Sequence, residues 1–198
     1  MRPRRRRSSR ARLLLISAAL ASLIGGYYLG QYWQRQPLGE LSAVVYADGQ
    51  PVEFPAHAGI AVEASDDAPW RLLLVTDLQT TACQGLLRHF AQVRNRLAGW
   101  PDIQQRLRLT LLDYGSDPPE DLRTLIADDW MERPPLGRAE LDRIAARLGI
   151  LPDAGDWCGT TGANSILVAP DLRRWALIPL EQPAIMAHNI ATVVQFVE

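Results

Sequence analysis

Two cysteines, Cys83 and Cys158, and three histidines, His57, His89 and His188, are the side chains of this sequence best suited to redox, nucleophilic or metal chemistry. Two thiols cannot furnish a four-thiolate zinc site, and no CxxC, HxxxH or HExxH spacing is present. Cys83 falls at the start of a helical pattern, where backbone N–H groups and the helix dipole favour a thiolate. The bland alternative for the same residue is a relic thiol, half buried at the end of a loop. Cys158 lies in the loop-like LPDAGDWCGTTG. His89 follows Cys83 by six residues, too far along a helix to share a site with it, and His57 sits in a loop from which it could fold over a pocket. Each histidine reads more simply as a surface or boundary residue. Asp113 and Asp117 invite a paired-carboxylate reading, but Asp113 ends a strand pattern and Asp117 suits a helix cap. Asp128-Asp129 reads as a solvated helix face, Gly159 and Gly162 mark a turn, and no glycine-rich phosphate loop is present.

Charge is distributed unevenly. The 198 residues carry a formal net charge of −1, yet Arg2, Arg4, Arg5, Arg6, Arg7, Arg10 and Arg12 crowd the first dozen positions. Nearly all the acidic charge follows Glu40, so the body is acidic and unsuited to a nucleic-acid surface. An uncharged apolar run, Leu13 to Trp33, follows the arginines, with Tyr27, Tyr28, Tyr32 and Trp33 toward its end. That length fits one crossing of a bilayer. Aromatic rings at one end and arginines at the other orient it with residues 1–12 cytoplasmic and the remainder exported, in a bacterium to the periplasm. The small-x-small pattern Ala19-Leu20-Ala21 offers a cleavable signal peptide instead. Export would place both cysteines where a disulfide is permitted.

The elements that must position these residues follow from periodicity. Residues 34–41 read as a linker. Two short apolar segments flank Asp48-Gly49, which predicts a hairpin turn. Trp70 to Thr76 and Leu107 to Asp113 are continuous apolar runs, suited to buried strands. Residues 83–98 place Leu86, Leu87, Phe90, Val93 and Leu97 on one helical face. A helix beginning near Asp117-Pro118-Pro119-Glu120 carries Leu122, Leu125, Ile126 and Trp130 inward, and another spans 138–148 before Gly149. Strands at 165–169 and 174–178 flank a Pro170-Asp171 turn. A closing helix over 183–197 turns Ile185, Met186, Asn189, Val193 and Phe196 or Val197 inward. The order from Trp70 predicts an α/β domain over 42–198: a thioredoxin-like mixed four-stranded sheet with flanking helices and an N-terminal hairpin.

Within that frame, LDYGSDPPEDL places Leu112, Asp113, Asp117, Pro119, Glu120 and Leu122 as the VDPxxDTPExL segment of the SCO/SenC family of cytochrome oxidase assembly proteins does. The chain resembles that family over about residues 41–197. The resemblance implies a transmembrane anchor, a thioredoxin-like domain and a copper site of two cysteines and one histidine. Cys83 matches the second cysteine of the family's CPxxCP segment, but Gln79 stands at the first and Thr161 at the histidine. Neither is a good copper ligand, so copper delivery by the family mechanism is not expected, nor is any other cofactor. In a thioredoxin fold the loop before the strand hairpin packs beside the cysteine-bearing helix start, so Cys83 and Cys158 could be disulfide-bonded. The implied function is a membrane-anchored, non-enzymatic accessory factor with a protein partner in respiratory oxidase assembly. Two alternatives stay open: an exported thiol–disulfide protein using Cys83 with Cys158, and a copper-binding protein with an altered ligand set of Cys83, Cys158 and His57.

Overall fold

The computed structural model describes residues 9–35, 41–60, 68–115, 118–126, 129–150, 158 and 164–198. The chain divides into two compact units, Met1–Leu41 and Ser42–Glu198. The first holds one helix, α1 (Ser9–Arg35), on which Leu15, Ile16, Leu20, Leu23, Ile24, Tyr27 and Tyr28 stand exposed. The apolar run 13–33 falls within α1, but the side chains of residues 9–14 and 29–35 lie outside the described residues. Among the described residues no helix is long and apolar enough to cross a membrane.

The second unit is built on a mixed six-stranded sheet in the order β1-β6-β5-β2-β3-β4. Its strands are β1 (Val44–Pro51), β2 (Trp70–Thr76), β3 (Leu107–Asp113), β4 (Met131–Glu132), β5 (Asn164–Val168) and β6 (Arg173–Pro179). β2 pairs in parallel with β3 and antiparallel with β5, so it is central. Every residue of β2 is buried, as its unbroken apolar composition requires of a strand covered on both faces. The crossover from β2 to β3 runs through α2 (Thr81–Arg96) and a short α3 (Pro101–Arg106). Helices α4 (Glu120–Ile126), α5 (Arg138–Leu148) and α6 (Pro183–Val197) complete the domain.

One core layer lies between α5 and the sheet: Leu141, Ile144 and Leu148 meet Leu73, Val75, Leu112, Ile166 and Val168. Alternation along β2 turns Leu72 and Leu74 to the opposite face. There α2 packs against α6, burying Leu86, Leu87, Phe90 and Val93 of the first and Met186, Ile190 and Val193 of the second.

Four expectations need correction. The sheet has six strands, because β1 and the two-residue β4 extend the four core strands at either edge. The hairpin at Asp48-Gly49 is absent, and Val44–Pro51 is one strand along β6. Gly49 serves close approach there: a Cβ on it would stand 3.0 Å from Arg173 Cβ and 3.1 Å from the Trp175 ring. The β1–β6 register shifts between Val45 and Gln50, the stretch that holds Gly49. Trp130 is buried but follows α4, in the turn before β4. Ile185 and Phe196 stand 43% and 58% exposed on the outer face of α6 rather than inward. The Pro170-Asp171 turn forms as expected, closed by Leu172 N–H donating to Ala169 O at 2.9 Å.

Candidate functional site

In open α/β sheets the working crevice lies at the carboxyl ends of the strands, and here both cysteines gather beside the ends of β2 and β3. β2 ends at Thr76 and the chain turns through Asp77–Thr80 into α2. Three contacts shape the turn: Gln79 N–H donates to Asp77 Oδ1 at 3.0 Å, Thr80 N–H to Asp77 O at 2.9 Å, and Gln84 Nε2 to Leu78 O at 3.3 Å. Thr80 caps the helix, its hydroxyl accepting from Cys83 N–H at 3.4 Å. Cys83 therefore sits in the first turn of α2, and Asp77 N–H points at its sulfur from 3.2 Å.

Cys83 and Cys158 form a disulfide with Cα atoms 5.1 Å apart across a sequence separation of 75. Cys83 is fully buried and Cys158 nearly so, at 0% and 7% exposure. The sulfur of Cys158 lies 3.9 Å from Val75 O, so the link places Cys158 beside the end of the central strand. Of the positions singled out in the sequence, Gln79 is exposed in the turn, whereas Thr161 lies outside the described residues, as do Asp117 and Asp128.

Asp113 is the residue whose importance the sequence reading missed. Its side chain is 0% exposed and pairs through Oδ2 with Arg133 Nη2 at 2.9 Å. Oδ1 accepts from Leu78 N–H at 3.1 Å, Gly115 N–H at 3.2 Å and Thr76 Oγ1 at 3.3 Å. The same Arg133 nitrogen donates to Gly115 O at 2.8 Å. One buried carboxylate thus ties the end of β3 to the turn that delivers Cys83. Gly115 belongs to this arrangement, since a Cβ on it would stand 3.1 Å from Asp77 Oδ1 and 3.3 Å from Asp113 Oδ1. The available signal was the Asp113-Tyr114-Gly115 step directly after an apolar strand.

The histidines lie elsewhere. His57 Nε2 pairs with Glu140 at 3.3 Å at the start of α5. There Gly137 N–H, first, and then His57 hold the Glu140 carboxyl below the usual range. His89 Nε2 approaches Met186 Sδ at 3.3 Å between α2 and α6, and the ring of His188 tilts against Trp100 with centroids 6.3 Å apart. Burial, then the hydrogen bond to Asp142, raises the Tyr114 hydroxyl well above its ordinary pKa.

A copper ion of the kind the family resemblance implies does not fit these residues. A sulfur bonded to sulfur has no thiolate to offer. Among the described residues, no group of three His, Cys, Asp or Glu side chains could hold a metal, so Cys83, Cys158 and His57 are not brought together as a ligand set. The geometry offers instead a buried cross-link between the first turn of α2 and Cys158, beside the end of β2.

No family model and no curated protein matches the sequence. The chain is similar to several solved structures, three Sco proteins among them. The solution structure of apo Sco1 from Thermus thermophilus shares 15% identity at a TM-score of 0.49, covering 80% of this chain and 97% of that one. Yeast Sco1 shares 11% at 0.46, covering 65% and 84%. Copper-bound ScoI of Bradyrhizobium japonicum shares 14% at 0.43, covering 62% and 83%. At this distance the likenesses carry no residue correspondence, and the thioredoxin-like description rests on the sheet order and the β2-α2-β3 crossover themselves.

Proposed function

We propose that this chain is a membrane-anchored accessory factor in respiratory oxidase assembly, acting by protein–protein contact and not by metal delivery. One observation carries the reading: the only sulfur at a family ligand position, on Cys83, is buried and spent in a bond to Cys158. In the family the resemblance implies, a metal joins the cysteine-bearing helix start to the loop before the strand hairpin. Here a covalent link joins Cys83, at that helix start, to Cys158, six residues ahead of β5. The scaffold keeps a fixed surface at the sheet's carboxyl end and gives up the exchangeable ion. The basic segment 1–12, the apolar run 13–33 and the motif from Leu112 to Leu122 support export, anchorage and the oxidase connection.

Deleting the gene is expected to lower cytochrome oxidase activity in membranes. Expressing the Cys83→Ser chain at matched protein level is expected to restore it. A deletion strain with full oxidase activity refutes the assembly role.

The buried bond also supports a second reading, thiol–disulfide exchange, because Asp77 N–H and the start of α2 would stabilise a Cys83 thiolate. That reading requires Cys83→Ser to abolish function and a mixed disulfide with a partner to be trapped on Cys83 in Cys158→Ser.

A further inference from the structure

The seam between α2 and α6 holds the one close approach of two uncharged metal-ligating side chains outside the cysteine pair among the described residues. His89 Nε2 and Met186 Sδ lie 3.3 Å apart, on helices of 16 and 15 residues packed on one another. We propose that this pair is a binding site for a soft monovalent cation of the Cu(I) or Ag(I) class. The inference does not depend on the cysteine pair or on the function proposed above.

The chemistry of the donors selects the ion. A thioether is a neutral, polarisable ligand that binds soft ions and leaves hard oxygen-seeking ones, and imidazole accepts the same soft ions. With bonds as short as those zinc makes, about 2.0 Å to nitrogen and 2.3 Å to sulfur, the 3.3 Å separation corresponds to an angle of about 100° at the ion, and longer bonds close it further. That angle belongs to three- or four-coordinate binding and not to a linear pair, so the ion would keep positions for an outside donor. Coordination needs the Nε2 lone pair, with the ring proton on Nδ1, and its two dative bonds replace water ligands that the arriving ion gives up to solvent. Met186 is 0% exposed and cannot swing freely, and His89, half buried, supplies the approach.

An opening lies beside the pair. A groove of about 570 Å³ lies between the same two helices, lined by Gln92, Asn95 and Arg96 from α2 and Gln182, Pro183 and Ala184 at the start of α6. Gln92 is three residues beyond His89 and Pro183 three before Met186, spacings that share a helix face. The pair therefore lies one turn further along the seam that the groove opens.

The test uses the full chain, with its disulfide intact and its methionine methyl groups labelled with carbon-13. The sequence has three methionines, so Met186 can be resolved from Met1 and Met131. Ag(I), an air-stable stand-in for Cu(I), is titrated in. One equivalent should shift the Met186 methyl resonance, and Zn(II) should not. Affinity should fall at least tenfold in both His89→Ala and Met186→Leu, the second being a volume-conserving change that cores tolerate. Ag(I) should also raise the unfolding temperature of the wild type and not of Met186→Leu. An unmoved Met186 methyl, or wild-type affinity in Met186→Leu, overturns the site and leaves an N–H···S contact only.

Discussion

Breaking the Cys83–Cys158 bond should cost the domain about 4.5 kcal/mol. The bond spans a sequence separation of 75, and the chain-entropy relation for a loop of that length gives roughly 15 cal/mol/K, or about 4.5 kcal/mol at 25 °C. Domains of this size are stable by only about 5–15 kcal/mol. At about 2–4 °C per kcal/mol, the unfolding temperature should drop by about 9–18 °C. The assay is thermal unfolding by circular dichroism on the oxidised chain, on the chain kept reduced in excess reductant, and on Cys83→Ala, Cys158→Ala and the double variant. All four altered forms open the same loop, so their losses should agree to within about 1 kcal/mol, the spread left for the small cavity each alanine creates. Two free thiols titrating in denatured, unreduced protein would refute the link. A drop under about 3 °C would refute the entropic reasoning, and a loss far larger in Cys83→Ala than in Cys158→Ala would locate the effect in packing at the start of α2.

Three other outcomes follow from the site and the sheet. Asp113→Asn should destabilise by about 2–4 kcal/mol, since Arg133 loses its buried partner and one acceptor of three hydrogen bonds is weakened. Chemical denaturation measures that loss, and equilibration with glutathione should show the disulfide reducing more readily than in the wild type. Gly115→Ala should cost about 1–2 kcal/mol, because its new Cβ meets Asp77 and Asp113 oxygens at 3.1 and 3.3 Å; unchanged stability would mean the turn yields freely. Glu198 accepts from Arg106 at 2.6 Å and from Trp70 Nε1 at 3.1 Å, and the Arg106 hydrogen bond, foremost, lowers its carboxyl pKa. The folded-state value is depressed, so this stabilisation is complete above the ordinary glutamate range and is lost as pH falls through the lowered value. The group is partly exposed and the effect small, about 0.5 kcal/mol; Glu198→Gln should flatten that part of the stability–pH curve and leave neutral-pH stability lower by the same amount.

The strands and helices of the core were legible because each buries a face through local periodicity. The unbroken apolar runs at 70–76 and 107–113 return as β2 and β3 with the same ends, and the helix over 138–148 stops at Gly149 with φ +72°, where a Cβ would be strained. What misled was ambiguity between two uses of one residue type. Asp48-Gly49 satisfies a hairpin turn, yet glycine equally permits close backbone packing, and only the position of Trp175 on β6 decides for the second. The two-residue β4 has too short a pattern to declare itself, and it exists because Leu109 N–H finds Trp130 O at 2.7 Å.

At the site, residue types and order along the chain already showed a lone cysteine at a helix start and a second one far away in sequence; only the family resemblance singled out Gln79. Which groups touch could not follow from the order, because a carboxylate's partners are a matter of where separate elements end in space. Folding brings the ends of β2 and β3 side by side, so that Asp113 reaches the turn before α2, Arg133 reaches Asp113 from beyond β4, and Cys158 arrives within bonding distance of Cys83. Local pattern reports which face of an element is apolar; contacts between elements depend on sheet order, which no single segment encodes.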